Sequence, residues 1–176
     1  MKKQVKFVFL CKMQKIILLF PLSLLMLLLV QCSSFMPKPY YAGMENQVSY
    51  HQEIMDSMKT EIQKFYGAPY KWGGDSPKGT DCSGMIKTIY EKAADISLPH
   101  NTQQMFDGGK KIHKIDLLFG DLVFFSNNGH NATHMGLYIT NGYFLHASSS
   151  NGVVLSRLSE RYYKRRFIGA RRIEIY

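Results

Sequence analysis

Three residues carry the makings of nucleophilic catalysis: Cys82, His134 and His146. A thiol attacks as its thiolate. The start of a helix presents partial positive charge and unpaired N–H groups, which lower a cysteine pKa. A neighbouring imidazole can take the thiol proton and return it. A third polar group must then hold that imidazole in the productive tautomer. Cys82 follows Asp81, a suitable N-cap that can accept from the free N–H groups of a first turn. The two histidines fall in successive β-like runs, Thr133–Thr140 and Tyr143–Ser148.

The surrounding pattern must bring these side chains together. Met55, Met58, Ile62 and Phe65 recur at helical spacing within Gln47–Tyr66, and Gly67-Ala68-Pro69 ends that helix. A second helix starts at Asp81-Cys82-Ser83, with Cys82, Met85, Ile86, Ile89, Tyr90 and Ala93 on one face, so the cysteine points inward. A short helix is expected near Gln103, Met105 and Phe106. Five strands follow: Asp121–Phe125, Thr133–Thr140, Tyr143–Ser148, Val153–Leu155 and Phe167–Ile175, separated by Gly, Asn and Ser clusters. Helices first and an antiparallel meander afterwards make an α+β domain.

Register decides whether the histidines meet. A two-residue Asn141-Gly142 loop would pair Thr140 with Tyr143, set Gly136 opposite Ala147, and turn the imidazoles to opposite faces. A three-residue loop, Thr140-Asn141-Gly142 with Gly142 left-handed in a bulge, sets Gly136 opposite His146 and His134 opposite Ser148. The imidazoles then share a face as diagonal neighbours, while Met135, Leu137 and Ile139 alternate into the core. The longer, bulged turn is therefore expected, with Gly136 leaving room for the rings.

Five stretches in this order resemble the NlpC-type bacterial cell-wall cysteine peptidases: Pro69-Tyr70-Lys71-Trp72-Gly73-Gly74, Thr80-Asp81-Cys82-Ser83-Gly84, Gly120–Phe125, Thr133–Ile139 and Phe144–Ser148. The resemblance covers roughly Tyr66–Arg172. It implies a compact papain-like fold, N-terminal helices packed on a central antiparallel sheet. It implies Cys82 as nucleophile, His134 as base, His146 as the residue orienting it, and Tyr70 assisting the oxyanion with the Cys82 backbone N–H. It further implies Trp72, Asp81, Ser83 and His100 as substrate contacts. His100 is a departure, because many relatives carry Arg after the Leu-Pro pair. Such enzymes hydrolyse amide bonds of peptidoglycan stem peptides, often between D-glutamate and a diamino acid, and need no cofactor or metal. Papain-like relatives also include amidases and acyltransferases, and a fold of this kind can serve as a non-catalytic wall-binding module. The intact Cys82/His134/His146 set favours the peptidase.

The full chain has 176 residues and a net charge of +9. Much of that charge lies at the start. Met1–Lys15 holds five lysines and no acid, Ile16–Val30 is almost wholly apolar, and Gln31-Cys32 follows. This is the layout of a secretory signal. A cysteine directly after the apolar run resembles a bacterial lipoprotein signal, with Cys32 as the lipidated residue, although Gln31 stands where Gly, Ala or Ser is usual. Met13 offers a second, more ordinary start for it. The expected division is a signal at 1–31, a membrane-tethering linker at 32–45, where Pro37, Pro39 and Gly43 interrupt any period, and the peptidase domain at 46–176. Without residues 1–31 the net charge falls to +4, which argues against nucleic acid as a partner. The expected partners are peptidoglycan and, through the lipid, the outer side of a bilayer; the domain is expected to act as a monomer. Cys82 is the one thiol left in the exported domain, where an unpaired cysteine is a liability without a role.

Two weaker patterns remain. His130 and His134 are spaced i, i+4 as in some helical zinc sites, but Asn128-Gly129 and the following strand speak against a helix. Arg157–Arg172 holds seven basic residues and one acid, Glu160, and reads as a solvated face or a surface drawn to anionic envelope polymers.

Overall fold

Helix α1 runs over Lys38–Phe65 and places Ile54, Met58 and Phe65 in the core, with Ile62 packed against it. The computed structural model describes residues 38–175, with side chains from residue 46. The signal segment and Cys32 lie outside the described residues. The helix begins inside the stretch expected as a linker. Proline disfavours helix interiors but fits a first turn, and Pro39 is the second residue of α1. After Phe65 the chain leaves the helix through Gly67 (φ 79°), and Gly67 N–H donates to the Val153 carbonyl at 2.9 Å.

A two-stranded ribbon, β1 (Asp75–Ser76) and β2 (Gly79–Thr80), leads into α2 (Cys82–Ala94). Helix α3 (Thr102–Gly108) follows at the place expected for a short helix. The main sheet contains β3 (Lys110–Ile112), β4 (Leu122–Phe125), β5 (His134–Thr140), β6 (Tyr143–Ser148), β7 (Gly152–Arg157) and β8 (Phe167–Arg172). A short helix, α4 (Arg161–Arg166), precedes β8. The order is β3-β8-β4-β5-β6-β7, and every neighbouring pair is antiparallel. The α+β class is thus borne out, while the meander is limited to β4–β7. The last strand does not extend it. It crosses back and inserts between β4 and β3, a strand whose three residues were too few to read from the sequence.

Arg172 fixes this insertion. Its guanidinium donates to both carboxylate oxygens of buried Asp121 at 2.7 Å, and Asp121 also accepts from Leu118 N–H at 2.8 Å. The bidentate geometry satisfies a carboxylate that burial would otherwise penalise.

One apolar cluster joins the helices to the sheet through Met58, Phe65, Met85, Ile86, Ile89, Phe124, Met135, Leu137 and Leu145. A smaller cluster contains Val123, Phe125, Phe144, Leu158 and Ala170. Alternation along β5 and β6 divides residues between them: Met135 and Leu137 go to the first, and Tyr138 packs against the second.

The β5–β6 turn differs from expectation in an instructive way. It is the two-residue turn: Thr140 pairs with Tyr143, and Asn141 and Gly142 both take positive φ, 50° and 80°. Asn-Gly suits such a turn, whose twist matches that of the strands. Yet Tyr138 pairs with Phe144 and Leu137 with Leu145, so Ile139 is an extra residue within the ladder. The core demands that Met135 and Leu137 meet Leu145 and Ala147 on one side. The turn chemistry demands a different frame. A bulge at Ile139 reconciles them, and the imidazoles share a face after all.

Candidate active site

Asp81 caps α2. Its Oδ1 accepts from Gly84 N–H at 2.8 Å and Ser83 Oγ–H at 3.0 Å, and its Oδ2 accepts from Gly73 N–H at 2.8 Å. His100 Nε2 lies 3.1 Å from Oδ1. Burial pulls the Asp81 pKa upward, but the Gly84 and Gly73 N–H groups, His100 and Ser83 outweigh it and hold the carboxyl below its ordinary range. The cap therefore sets the first turn of α2 and also ties down the Tyr70–Gly74 loop.

Cys82 is the first residue of α2 and is partly buried. Its Sγ lies 3.7 Å from Thr102 Oγ1. Burial pushes the thiol pKa up, Thr102 offsets part of that rise, the Asp81 charge adds to it, and N–H groups of Met135 and Ser83 offset more. The helix start was expected to depress this pKa. Here burial and Asp81 win. The Met135 contact puts the sulfur at the beginning of β5, beside the residue that follows His134.

His134 Nε2 lies 3.0 Å from His146 Nδ1, with the rings nearly perpendicular at 88° and their centroids 5.0 Å apart. Burial lowers the His134 pKa to about 4, and burial with the neighbouring His134 lowers that of His146 as well. Both imidazoles are neutral near pH 7. Gly136 makes the cross-strand approach possible: a Cβ there would lie 2.5 Å from the Phe144 ring, 2.6 Å from the Leu145 carbonyl oxygen and 3.2 Å from His146 Cβ.

Cys82, His134 and His146 line one cleft of about 940 Å3 together with Tyr70, Trp72 and Thr102. Tyr70 is half-buried, and its phenol pKa is raised by burial and then by Cys82 and Asp81. Trp72 stands on the rim, 85% exposed. Among the other expected substrate contacts, Asp81 and Ser83 line the cleft, but their polar atoms are bonded to each other and to backbone. His100 also lines it, through its bond to Asp81.

The structure adds residues not singled out from the sequence. His146 Nε2 lies 3.1 Å from both Ser156 Oγ and Tyr163 Oη. Tyr163 belongs to the basic segment, and its ring packs on Phe125 and Phe144 with centroids 5.2 and 4.9 Å away. An aromatic pair, Tyr162-Tyr163, among cations was the available signal. That segment is also less solvated than expected. Arg157, Arg166 and Arg171 stack on Tyr143, Tyr162 and Phe106, while Arg172 holds Asp121. Arg157, despite its stacking, and Arg161, Lys164 and Arg165 remain exposed. Among the described residues, no three His, Cys, Asp or Glu side chains gather as they would around a metal ion, and His130 lies exposed in the loop before β5.

Known proteins resemble this chain in sequence and fold. The sequence profile of the NlpC/P60 family matches residues 67–172. The probable endopeptidase NlpC of Escherichia coli is 38% identical over 148 residues, which is 84% of this chain and 94% of that one. The murein DD-endopeptidase MepS/murein LD-carboxypeptidase of the same bacterium is 35% identical over 133 residues, 76% of this chain and 68% of that one. A crystal structure from Staphylococcus aureus, described as similar to lipoprotein and of the NLP/P60 family, superposes with a TM-score of 0.61 at 39% identity; it covers 68% of this chain, which spans 41% of that longer one. The expected papain-like fold is thereby borne out.

Proposed function

The chain belongs to the NlpC/P60 family and is a peptidoglycan hydrolase of that family, and on this premise we propose that it is an exported, membrane-tethered cysteine endopeptidase that cuts amide bonds in peptidoglycan stem peptides. The observation that carries the proposal is the 3.0 Å bond between His134 and His146 in the cleft that also holds Cys82.

His134 uses Nε2 toward His146, so Nδ1 is the nitrogen left for the thiol. To accept there, His134 keeps its proton on Nε2 and donates it to His146 Nδ1. His146 then carries its proton on Nε2 and donates to Ser156 or Tyr163 oxygen. The resting pair is a neutral thiol and a neutral imidazole, as their opposed pKa shifts favour. As the sulfur attacks the amide carbonyl, its proton passes to His134 Nδ1. The carbonyl oxygen becomes an oxyanion, stabilised by Tyr70 O–H and the Cys82 backbone N–H, a contribution of about 3 kcal/mol per donor. His134 gives its proton to the leaving amine and the C–N bond breaks, leaving a thioester. Water, deprotonated by His134, releases the acyl group and restores the thiol.

The bond cut is the cross-link or the D-glutamyl–diamino acid bond; the MepS relative, named a DD-endopeptidase, supports the former. Lipidation at Cys32 supplies localisation on the outer side of a bilayer, in line with the lipoprotein-like description of the staphylococcal relative, and the domain works as a monomer. Digestion of purified peptidoglycan followed by mass analysis of the muropeptides tests this reading. New stem-peptide termini, lost on alkylation of Cys82, are expected. Hydrolysis that survives complete alkylation would remove the nucleophile, and transfer products without hydrolysis would make the protein an acyltransferase.

A further inference from the structure

The cleft holds a hydroxyl that the scheme above leaves idle. Thr102 Oγ1 is 3.7 Å from Cys82 Sγ, and it is the side-chain hydroxyl that meets the sulfur. Its position is fixed from several sides. Asn101 caps α3 by accepting from Gln104 N–H at 3.0 Å. Gln103 Oε1 accepts from Ala132 N–H at 2.6 Å, two residues before His134. His100 reaches Asp81, the cap of the nucleophile's own helix. Residues 100–103 thus bond to the segment bearing the nucleophile and to the segment bearing the base, and Thr102 is the member that meets the reacting atom.

We propose that Thr102 is a catalytic residue that donates its hydroxyl proton in a hydrogen bond to the Cys82 sulfur as that sulfur becomes anionic. The proposal rests on Cys82 being the nucleophile. In the attack step the S–H proton goes to His134 Nδ1 and the sulfur electron pair forms the C–S bond. Thr102 keeps its own proton throughout and shares it most strongly when the sulfur carries negative charge. A hydrogen bond strengthens when its acceptor becomes charged, so the contact favours the activated state over the resting thiol. Such help is needed here, because burial and Asp81 both work against the thiolate. Threonine suits the place: its branched Cβ limits χ1 and holds the hydroxyl in one direction.

The test uses the full chain and three variants, Thr102→Val, Thr102→Ala and Thr102→Ser. Two quantities are read. One is the pH dependence of Cys82 alkylation by iodoacetamide, followed at the Cys82 peptide by mass. The other is kcat and KM on purified muropeptides. Valine keeps the shape and removes the donor; alanine removes it without a second branch, should valine unsettle the fold. Both are expected to move the alkylation inflection upward by about one pH unit and to lower kcat about tenfold with little change in KM, the scale of a lost hydrogen bond to a charged group. Thr102→Ser is expected to restore both within about twofold. Wild-type alkylation profiles in the valine and alanine variants, or a serine variant that behaves like valine, would overturn the role. Wild-type protein that stays active with Cys82 fully alkylated would instead overturn the nucleophile assignment, whatever Thr102 does.

Discussion

The two halves of the active site are held by different means. On the nucleophile's side most cap contacts are short in sequence: Asp81 bonds Ser83, Gly84 and Gly73, all within eight residues, and only His100 reaches it from nineteen residues on. On the imidazole side they are long. His134 meets His146 twelve residues on, and His146 meets Ser156 and Tyr163, ten and seventeen residues further. Local bonds form with their helix and stay near it. The imidazole relay exists only once β5, β6, β7 and α4 have all found their places. The difference teaches that the thiol's position is set mainly by one turn, and the base's position by the whole sheet.

Removing the base separates the halves most strongly. His134→Ala is expected to lower kcat at least about 1,000-fold, the upper part of the range for general acid–base catalysis. His146→Ala should cost about 10- to 100-fold, because a neutral imidazole stabilises imidazolium less than a carboxylate would. Turnover of both on one muropeptide substrate checks the order; equal losses would mean that the relay acts as a unit and the comparison is too coarse.

Paired stability variants come next. Gly136→Ala forces a Cβ against Phe144 and the Leu145 carbonyl, and should cost about 1–3 kcal/mol while displacing His146. Asp81→Ala removes an N-cap and strands the Gly73 N–H, for about 1–2 kcal/mol. Urea unfolding gives both figures. The comparison predicts that Gly136→Ala loses more activity per kcal/mol of lost stability than Asp81→Ala.

Acid should act on the imidazole side. The unfolded chain protonates histidine near its ordinary pKa of about 6.5, whereas His134 in the folded protein protonates only near 4. Between these values the unfolded state binds more protons, so stability falls as pH falls through that window. Melting temperatures from pH 7 to pH 4.5 should decline, and His146→Gln should flatten the decline by removing the second depressed group. An unchanged slope would place the acid sensitivity elsewhere.

The smallest effect belongs to the far end of the relay. Tyr163→Phe keeps the ring packing and removes one of two hydroxyls at His146 Nε2, leaving Ser156. A loss of about twofold to fivefold in kcat is expected. The double change with Ser156→Ala should exceed the product of the single losses, as it leaves that nitrogen unpartnered.

The same contrast explains what could be read from the sequence. Asp81, Cys82, Met85, Ile86 and Ile89 declare a capped, amphipathic helix because cap and period are local, and the burial of Asp81, Met85, Ile86 and Ile89 follows. The direction of His134 was legible for a related reason, because the alternation of Met135 and Leu137 fixes which way it must point; its sharing a face with His146 was expected through a three-residue turn. The means was not legible. Asn141-Gly142 makes the short turn its chemistry prefers, and the correction sits at Ile139, where no residue type announces it. Ser156, Tyr163 and Thr102 were hidden because a hydroxyl gains its meaning from a partner far along the chain. The insertion of β8 was hidden likewise, since the Asp121–Arg172 pair spans fifty-one residues.

That insertion has a bearing on timing. Residues 167–172 follow every other strand along the chain, yet they fill an inner lane of the sheet, with β3 on one flank and β4 on the other. A nascent chain that has emerged only through β7 leaves β3 without its one sheet neighbour and Asp121 without its cation. Completion of the sheet therefore waits on delivery of β8, and truncation before Phe167 removes the strand that joins β3 to β4.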